Sequence, residues 1–213
     1  MNKCVHVVYI NDFFPELWSL TYPSISYYAK KIGADLNIID QRKFPEWHMY
    51  YEKMQMYECG RNYDANFLLD ADILIHPDFP DFTTVTKPHH IAFNDNFHAT
   101  DHYYGVEDNI YFQRDGRDVG ISTNAVISFK STHDVWEPLD MDPNEAKKIL
   151  KPHAFIDEYC LSLNMAKYGL KYTGITWEDW QRYYFVHLGN MGPKDTVLPN
   201  AYKVIENWKK NLK

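Results

Sequence analysis

The sequence predicts an α/β fold, one domain with a central, mostly parallel β-sheet flanked by helices. Short apolar, β-branched runs alternate with helical apolar spacing through the first third of the 213 residues, the pattern of a sheet covered on both faces. The polar residues Asn11, Asp12, Asp40, Asp70 and Asp72 fall where those runs end, and sheets of this kind bind ligands beyond the carboxyl ends of their strands. The length supports one substantial core but not two.

Residues 5–10, Val-His-Val-Val-Tyr-Ile, read as a buried first strand that stops at Asn11 and Asp12. From Ser24, the residues Ile25, Tyr28, Ala29 and Ile32 fall at helical spacing and Gly33 ends the helix. A short strand follows over 35–39. Trp47, Tyr50, Tyr51, Met54 and Tyr57 mark one face of a second helix closed by Gly60, and 66–69 is the third strand. Residues 77–117, rich in Pro, Asp, His and Asn, read as long loops around a short strand at 90–93. Residues 120–129 read as a strand, Ile156, Tyr159, Cys160, Leu163 and Ala166 as a helix ended by Gly169, 182–186 as the last strand, and the segment from Asn200 as a terminal helix.

Composition excludes several function classes. A formal net charge of -7 leaves no basic stripe for a nucleic-acid backbone. Cys4, Cys59 and Cys160 are widely spaced without a CxxC pair, so neither a disulfide framework nor a structural zinc site is expected. The first apolar run is shorter than a secretory signal's core, and no stretch approaches the roughly 20 apolar residues of a membrane span. A cytoplasmic protein without a transmembrane segment is the expectation. The aromatic share of 16% suits a site that stacks rings.

The sharpest chemical feature is Leu68-Leu69-Asp70-Ala71-Asp72-Ile73-Leu74-Ile75, two carboxylates one residue apart at the break between apolar segments. In an extended stretch residues i and i+2 project to one side, so the pair forms a hard oxygen site for Mn²⁺ or Mg²⁺. The plainer reading is two loop aspartates, capping or solvated. A phosphatase of the haloacid dehalogenase type also uses Asp-x-Asp, but at the end of its first strand and with Thr or Val where Leu74 stands. A non-catalytic carbohydrate-binding module is the other alternative.

The run Tyr63-Asp64-Ala65-Asn66-Phe67-Leu68-Leu69-Asp70-Ala71-Asp72-Ile73 resembles the metal-binding segment of GT-A glycosyltransferases. It is similar to retaining families such as the lipopolysaccharide galactosyltransferases, glycogenin, and plant-type xylosyl and galactosyl transferases. The chain as a whole resembles the small capsid-decorating glycosyltransferase domain of large algal viruses. The resemblance implies a GT-A-like, Rossmann-like single domain over 1–213, with a nucleotide-binding half at about 1–75 and an acceptor half at about 76–213. It implies transfer of a hexosyl or deoxyhexosyl unit from a UDP-sugar to a glycan or glycoprotein hydroxyl, with retention and with Mn²⁺ or Mg²⁺. For a viral chain the place would be the host cytoplasm.

Further positions match the family pattern in order. Lys53 stands where these families carry a basic residue contacting the donor, to bind diphosphate or orient the acids; a solvated helix lysine is the alternative. Ser122-Thr123-Asn124-Ala125-Val126 resembles the strand whose Asn124 position contacts the donor sugar, with Val126 replacing the family's Gly. Asp157 and Glu158 resemble the catalytic pair facing sugar and acceptor, Glu158 replacing Gln; an acid pair at a helix start equally serves the macrodipole. His187-Leu188-Gly189 resembles the element that gives the third metal ligand, His187, beside Asp70 and Asp72. The family's downstream Lys-Pro-Trp is absent. Tyr9, Asn11 and Asp12 lie where the first strand meets base and ribose, Tyr9 being equally readable as a core tyrosine. His89, His90, His98 and His102 with Asp95 and Asp101 match no zinc pattern. Trp177, Trp180 and Tyr183 are candidates for a sugar-stacking surface or for core.

Overall fold

The computed structural model describes residues 1–95, 121–149, 156–175, 185–190 and 194–211. The strands among them are β1 (Lys3–Val8), β2 (Asp35–Ile39), β3 (Ala65–Asp70), β4 (Ile73–Ile75), β5 (His90–Asp95), β6 (Ile121–Phe129), β7 (Lys171–Ile175) and β8 (Phe185–His187). The helices are α1 (Pro15–Lys31), α2 (Met56–Cys59), α3 (Pro143–Ile149), α4 (Ile156–Lys167) and α5 (Lys194–Asn211), with a 3₁₀ helix, Met49–Gln55, leading into α2. Six strands form one sheet in the order β2-β1-β3-β6-β5-β7. Pairing is parallel for β1 with β2 and β3 and for β5 with β7, while β6 runs antiparallel to both of its neighbours. β4 and β8 make a separate antiparallel ribbon.

The alternation of side chains along β3 explains the two covered faces. Phe67 and Leu69 join Val5, Val7, Ile25 and Tyr28 in one core cluster, while Leu68 joins Tyr51, Met54, Trp136 and Tyr159 in the other. Each fully buried Leu or Phe contributes about 1.5–3 kcal/mol relative to exposure. A third cluster, built from Leu17, Leu74, Leu188, Val197 and Ala201, seats α5 against α1 and the β4–β8 ribbon. The terminal helix docks on the core.

Several boundaries differ from the sequence reading. α1 begins at Pro15 and not near Ser24, because proline at a first turn lacks only an N–H that would be unpaired anyway. Pro23 lies inside α1, and the helix runs through it because Leu17, Thr21, Ile25 and Tyr28 on one face are buried. The expected second helix is mainly 3₁₀, and its buried Tyr51 and Met54 stand three apart, the period of that helix. Glu52, fully buried, accepts from the backbone N–H of Lys43 and Phe44, from Arg42 Nε and from Gln55 Nε2. β1 ends at Val8, so Tyr9 and Ile10 lie beyond it, although Tyr9 N–H still donates to Ile39 O at 2.9 Å. β7 had no signal in the sequence. It is an edge strand of mixed polarity held by pairing with β5. The last strand is β8, paired with β4 and outside the main sheet; residues 182–184 lie outside the described set, as do His98, Asp101, His102, Trp177, Trp180 and Tyr183. Cys4, Cys59 and Cys160 are free. No described helix is long and apolar enough to cross a membrane.

His6 in the middle of β1 is fully buried. Its Nε2–H donates to Asn66 Oδ1 at 2.8 Å, and its Nδ1 accepts from Asn37 Nδ2 at 3.1 Å. A proton on Nδ1 would therefore face another donor. Burial pushes the imidazole pKa down to about 4, the Asn66 bond opposing and the charge of His133 adding to the fall. The unfolded chain binds this proton near pH 6.5, so the stability tied to neutral His6 is complete above 6.5 and lost as pH falls toward 4. The loss amounts to about 3 kcal/mol at most. Urea titrations between pH 7.5 and 4 should show it, and His6→Gln should flatten that part of the profile; an equal slope in both proteins would remove His6 as the cause.

Candidate active site

The carboxyl ends of the central strands assemble the site. Asp70 is the last residue of β3, and Ala71-Asp72 form a turn into β4. The pair is thus carried by a turn, not by the extended stretch expected from the sequence. Two bonds fix this turn: Thr21 Oγ1 of α1 donates to Ala71 O at 2.5 Å, and Leu188 N–H donates to Asp72 O at 2.9 Å. The β4–β8 register sets Ile73 opposite His187, which brings the imidazole to Asp72. His187 Nε2 lies 3.3 Å from Asp72 Oδ1 and 3.9 Å from Asp70 Oδ2. Asp70, Asp72 and His187 each offer a ligand atom within 4.8 Å of the others.

Behind this triad lies an ionic network. Lys53, only 5% exposed, reaches from the 3₁₀ helix to Asp70 Oδ1 at 2.8 Å and to Asp157 Oδ2 at 3.0 Å. Its ammonium also donates to Thr123 O at 3.2 Å and Thr123 Oγ1 at 3.1 Å, and Thr123 Oγ1 donates to Asp157 Oδ2 at 2.5 Å. Lys53 is therefore not a solvated helix lysine. Asp157, in the acidic first turn of α4, turns its Oδ2 to this network. Glu158 follows it, half-buried. Asn124 Nδ2 lies 3.2 Å from His187 Nδ1, which makes Asn124 a neighbour of the metal-ligand candidate. Among the described residues, the buried Oδ1 atoms of Asn94, Asn124 and Asp157 have no hydrogen-bond partner, an open demand that a polar group can meet.

Electrostatics follow from this arrangement. Burial raises the Asp70 carboxyl, with nearby Asp72 adding and Lys53 and His187 opposing. Asp72 is lowered: burial pulls up, but the hydrogen bond and charge of His187 outweigh it. His187 is raised for the reciprocal reason, Asp72 and Asp70 overcoming burial. Burial disfavours the Lys53 ammonium, and Asp157 and Asp70 more than offset that, so it stays charged. Two carboxylates and an imidazole turned on one point suit a divalent cation.

Gly189 supports that reading. A Cβ there would lie 2.3 Å from Asp72 Oδ2 and 3.4 Å from His187 Nε2. Leu188 is fully buried in the third cluster and anchors the segment. Gly189→Ala should displace Asp72 and lower Mn²⁺ affinity by roughly 10–100-fold, the range for disturbed metal surroundings. Electron paramagnetic resonance titration of Mn²⁺ measures this; affinity equal to that of the unaltered protein would mean that Asp72 is not a ligand.

Tyr9, Asn11 and Asp12 sit on the loop after β1, whose Val8 pairs with Asp70, so they share the site's end of the sheet. Among the described residues no hydrogen bond or ion pair joins them to the metal triad. Tyr9 is half-buried and packs on the edge of the first core cluster, its ring stacked on Trp18 of α1 at 4.5 Å and 14°. Asn11, Asp12 and Phe14 have positive φ, a concentration of backbone strain that functional loops often carry. His89 bonds Ser131 and His90 bonds Tyr172 O, so neither belongs to a metal cluster among the described residues. Sequence reasoning assigned no role to Thr123, and it had no basis for one, because its partners Lys53 and Asp157 come from distant segments; Tyr50 it placed only on one face of the second helix.

No family profile matches the sequence, and no characterised protein is detectably similar to it in sequence. Solved structures are similar in fold. A glycosyltransferase involved in the glycosylation of the major capsid of PBCV-1 superposes with a TM-score of 0.57 at 9% identity, over 95% of this chain and 100% of that one. A mutant of Drosophila β-1,4-galactosyltransferase 7, in complex with manganese, UDP-Gal and xylobiose, gives 0.47 at 11% identity over 88% and 71%. The galactosyltransferase LgtC with donor and acceptor sugar analogs gives 0.44 at 9% over 73% and 69%. The fold is the GT-A α/β fold, a mostly parallel six-stranded sheet flanked by helices.

Proposed function

We propose that the chain is a divalent-metal-dependent glycosyltransferase that moves a hexosyl or deoxyhexosyl unit from a UDP-sugar to a glycan or glycoprotein hydroxyl. The observation that carries this reading is the convergence of Asp70, Asp72 and His187 at the carboxyl end of a GT-A sheet. Asp70, Asp72 and His187 hold the ion, Mn²⁺ or Mg²⁺. When bound, the ion offsets the negative charge of a departing nucleoside diphosphate.

The chain's own residues do the positioning. Lys53 holds Asp70 and Asp157 in register. Asn124 orients the His187 ring, and a ring ligating through Nε2 keeps its proton on Nδ1, where the Asn124 carboxamide turns its Oδ1 to accept it. Asp157 Oδ1, buried and without a hydrogen-bond partner among the described residues, accepts from a donor-sugar hydroxyl, and Glu158 stands on the acceptor side. Tyr9, Asn11 and Asp12 take the uracil and ribose. Residues to about 75 form the nucleotide-binding half and the remainder the acceptor half. Retention of configuration rests on the family resemblance, with Asp157 and Glu158 as the candidate catalytic groups.

Calorimetric titration of UDP tests the reading. Binding with Mn²⁺ present and its disappearance on chelation are expected. Binding of equal strength without metal would overturn the metal assignment, and no binding in either state would return the haloacid dehalogenase and carbohydrate-module alternatives.

A further inference from the structure

Tyr50 is an exposed aromatic residue on a rigid support directly above the ionic network. In a 3₁₀ helix residues three apart eclipse one another, and within Met49–Gln55 this sets the Tyr50 ring over the Lys53 side chain. Lys53 Nζ lies 5.7 Å from the ring centroid while it bonds Asp70 at 2.8 Å and Asp157 at 3.0 Å. The ring is therefore one side chain away from both acids. Its hydroxyl is raised by burial first, then by Asp70, Lys53 opposing, and by Asp157 and Asp72. The acids of the site thus reach this phenol.

The support does not yield. Tyr51, the next residue, is fully buried, stacks on Trp47 at 4.3 Å and accepts from Leu139 N–H at 2.6 Å. Glu52 locks the preceding loop through four donors. Tyr50 N–H donates to His48 Nδ1 at 3.4 Å, and the two rings meet edge to face at 4.6 Å. Yet 44% of Tyr50 remains exposed. A large ring held still and left bare beside a polar site binds with little loss of freedom.

We infer that Tyr50 is a specificity-determining residue of this site, its ring face packing against the C–H face of a pyranose held over Lys53, Asp70 and Asp157. The inference rests on the glycosyltransferase reading and names a contact for its sugar. A pyranose presents C–H groups polarised by neighbouring oxygens on one face, which match the electron-rich ring. The sugar is that of the donor or that of the acceptor, and the measurement separates them.

UDP, UDP-glucose and UDP-galactose are titrated with Mn²⁺ into the unaltered protein and into Tyr50→Ala, Tyr50→Phe and Tyr50→Trp, and transfer to p-nitrophenyl hexosides is compared with hydrolysis of the same donors. In Tyr50→Ala, affinity for the UDP-hexose should fall about tenfold while that for UDP stays put, if the sugar is the donor's. If it is the acceptor's, donor binding and hydrolysis persist and the acceptor KM rises about tenfold. Tyr50→Phe and Tyr50→Trp, which keep a ring face, should restore either value. Equal loss of UDP and UDP-hexose, recovery by neither aromatic, or no change in any quantity overturns the inference. Failure of the unaltered protein to bind UDP with metal overturns the transferase reading and this inference with it; normal binding with an indifferent Tyr50→Ala overturns this inference alone.

Discussion

Asp72→Ala should abolish glycosyl transfer, by on the order of 10³-fold or more, without unfolding the protein. The size follows from the site's construction. Asp72 is the only one of the three ligand candidates tied both to the β3–β4 turn and, through Leu188, to the β4–β8 ribbon. Its carboxylate is also held ionised by His187 against burial, ready to accept a cation at neutral pH. Without it, one acid and one imidazole remain, too few protein ligands for a hard divalent ion. Stability should change little, since the bond to His187 is lost but repulsion between Asp72 and Asp70 is relieved as well. Circular dichroism and thermal melting check the fold, and Mn²⁺-dependent UDP calorimetry checks the loss of metal. Normal turnover in a folded Asp72→Ala protein would remove the metal assignment altogether.

How far such a site is legible in sequence depends on where its parts lie along the chain. Asp70 and Asp72 stand two residues apart inside an apolar frame, so the pair is visible locally; the turn at Ala71 that makes them converge is not, because Thr21 from α1 and Leu188 from after β8 impose it. His187 is legible only through its resemblance to a motif, since the β4–β8 pairing that places it joins segments more than a hundred residues apart. Lys53 is singled out only by its place in the family pattern; its spacing alone reads equally as a solvated residue on a helical face. Its burial becomes apparent only when Thr123 and Asp157, from two other elements, close around it.

The fold shows the same division. β1 and β3 are buried on both faces and read as continuous apolar runs, which is why the alternation of the first third carried the class. β7, at the sheet edge with Lys171, Thr173 and Gly174, owes its strand to β5 and carries no periodic signal of its own. The start of α1 was obscured by Pro23, because a proline inside a helix is tolerated only when packing on another face outweighs the missing bond.

Lys53→Met should lower stability by about 3–5 kcal/mol, the cost of leaving a buried charge without its partner. The ammonium is the cation set between Asp70 and Asp157, and Thr123 completes its shell with a carbonyl and a hydroxyl. Methionine fills the volume of the stem but leaves two inward carboxylates facing apolar surface. The expected fall in melting temperature is on the order of 10 °C for a chain of this size. Adding Asp157→Asn should recover part of it, since one of the stranded charges is then gone, and the double-mutant cycle measures the coupling. The deficit should also shrink on acidification. Asp70, already raised by burial, rises further without the ammonium, so the folded variant binds its proton before the unfolded chain does and gains stability as pH falls. A lysine whose role was only to touch the donor would behave differently: its loss would raise the KM for UDP-sugar and leave the melting temperature where it was. Stability and donor KM measured on one Lys53→Met preparation therefore decide whether Lys53 is the keystone of the two acids or an arm reaching for substrate.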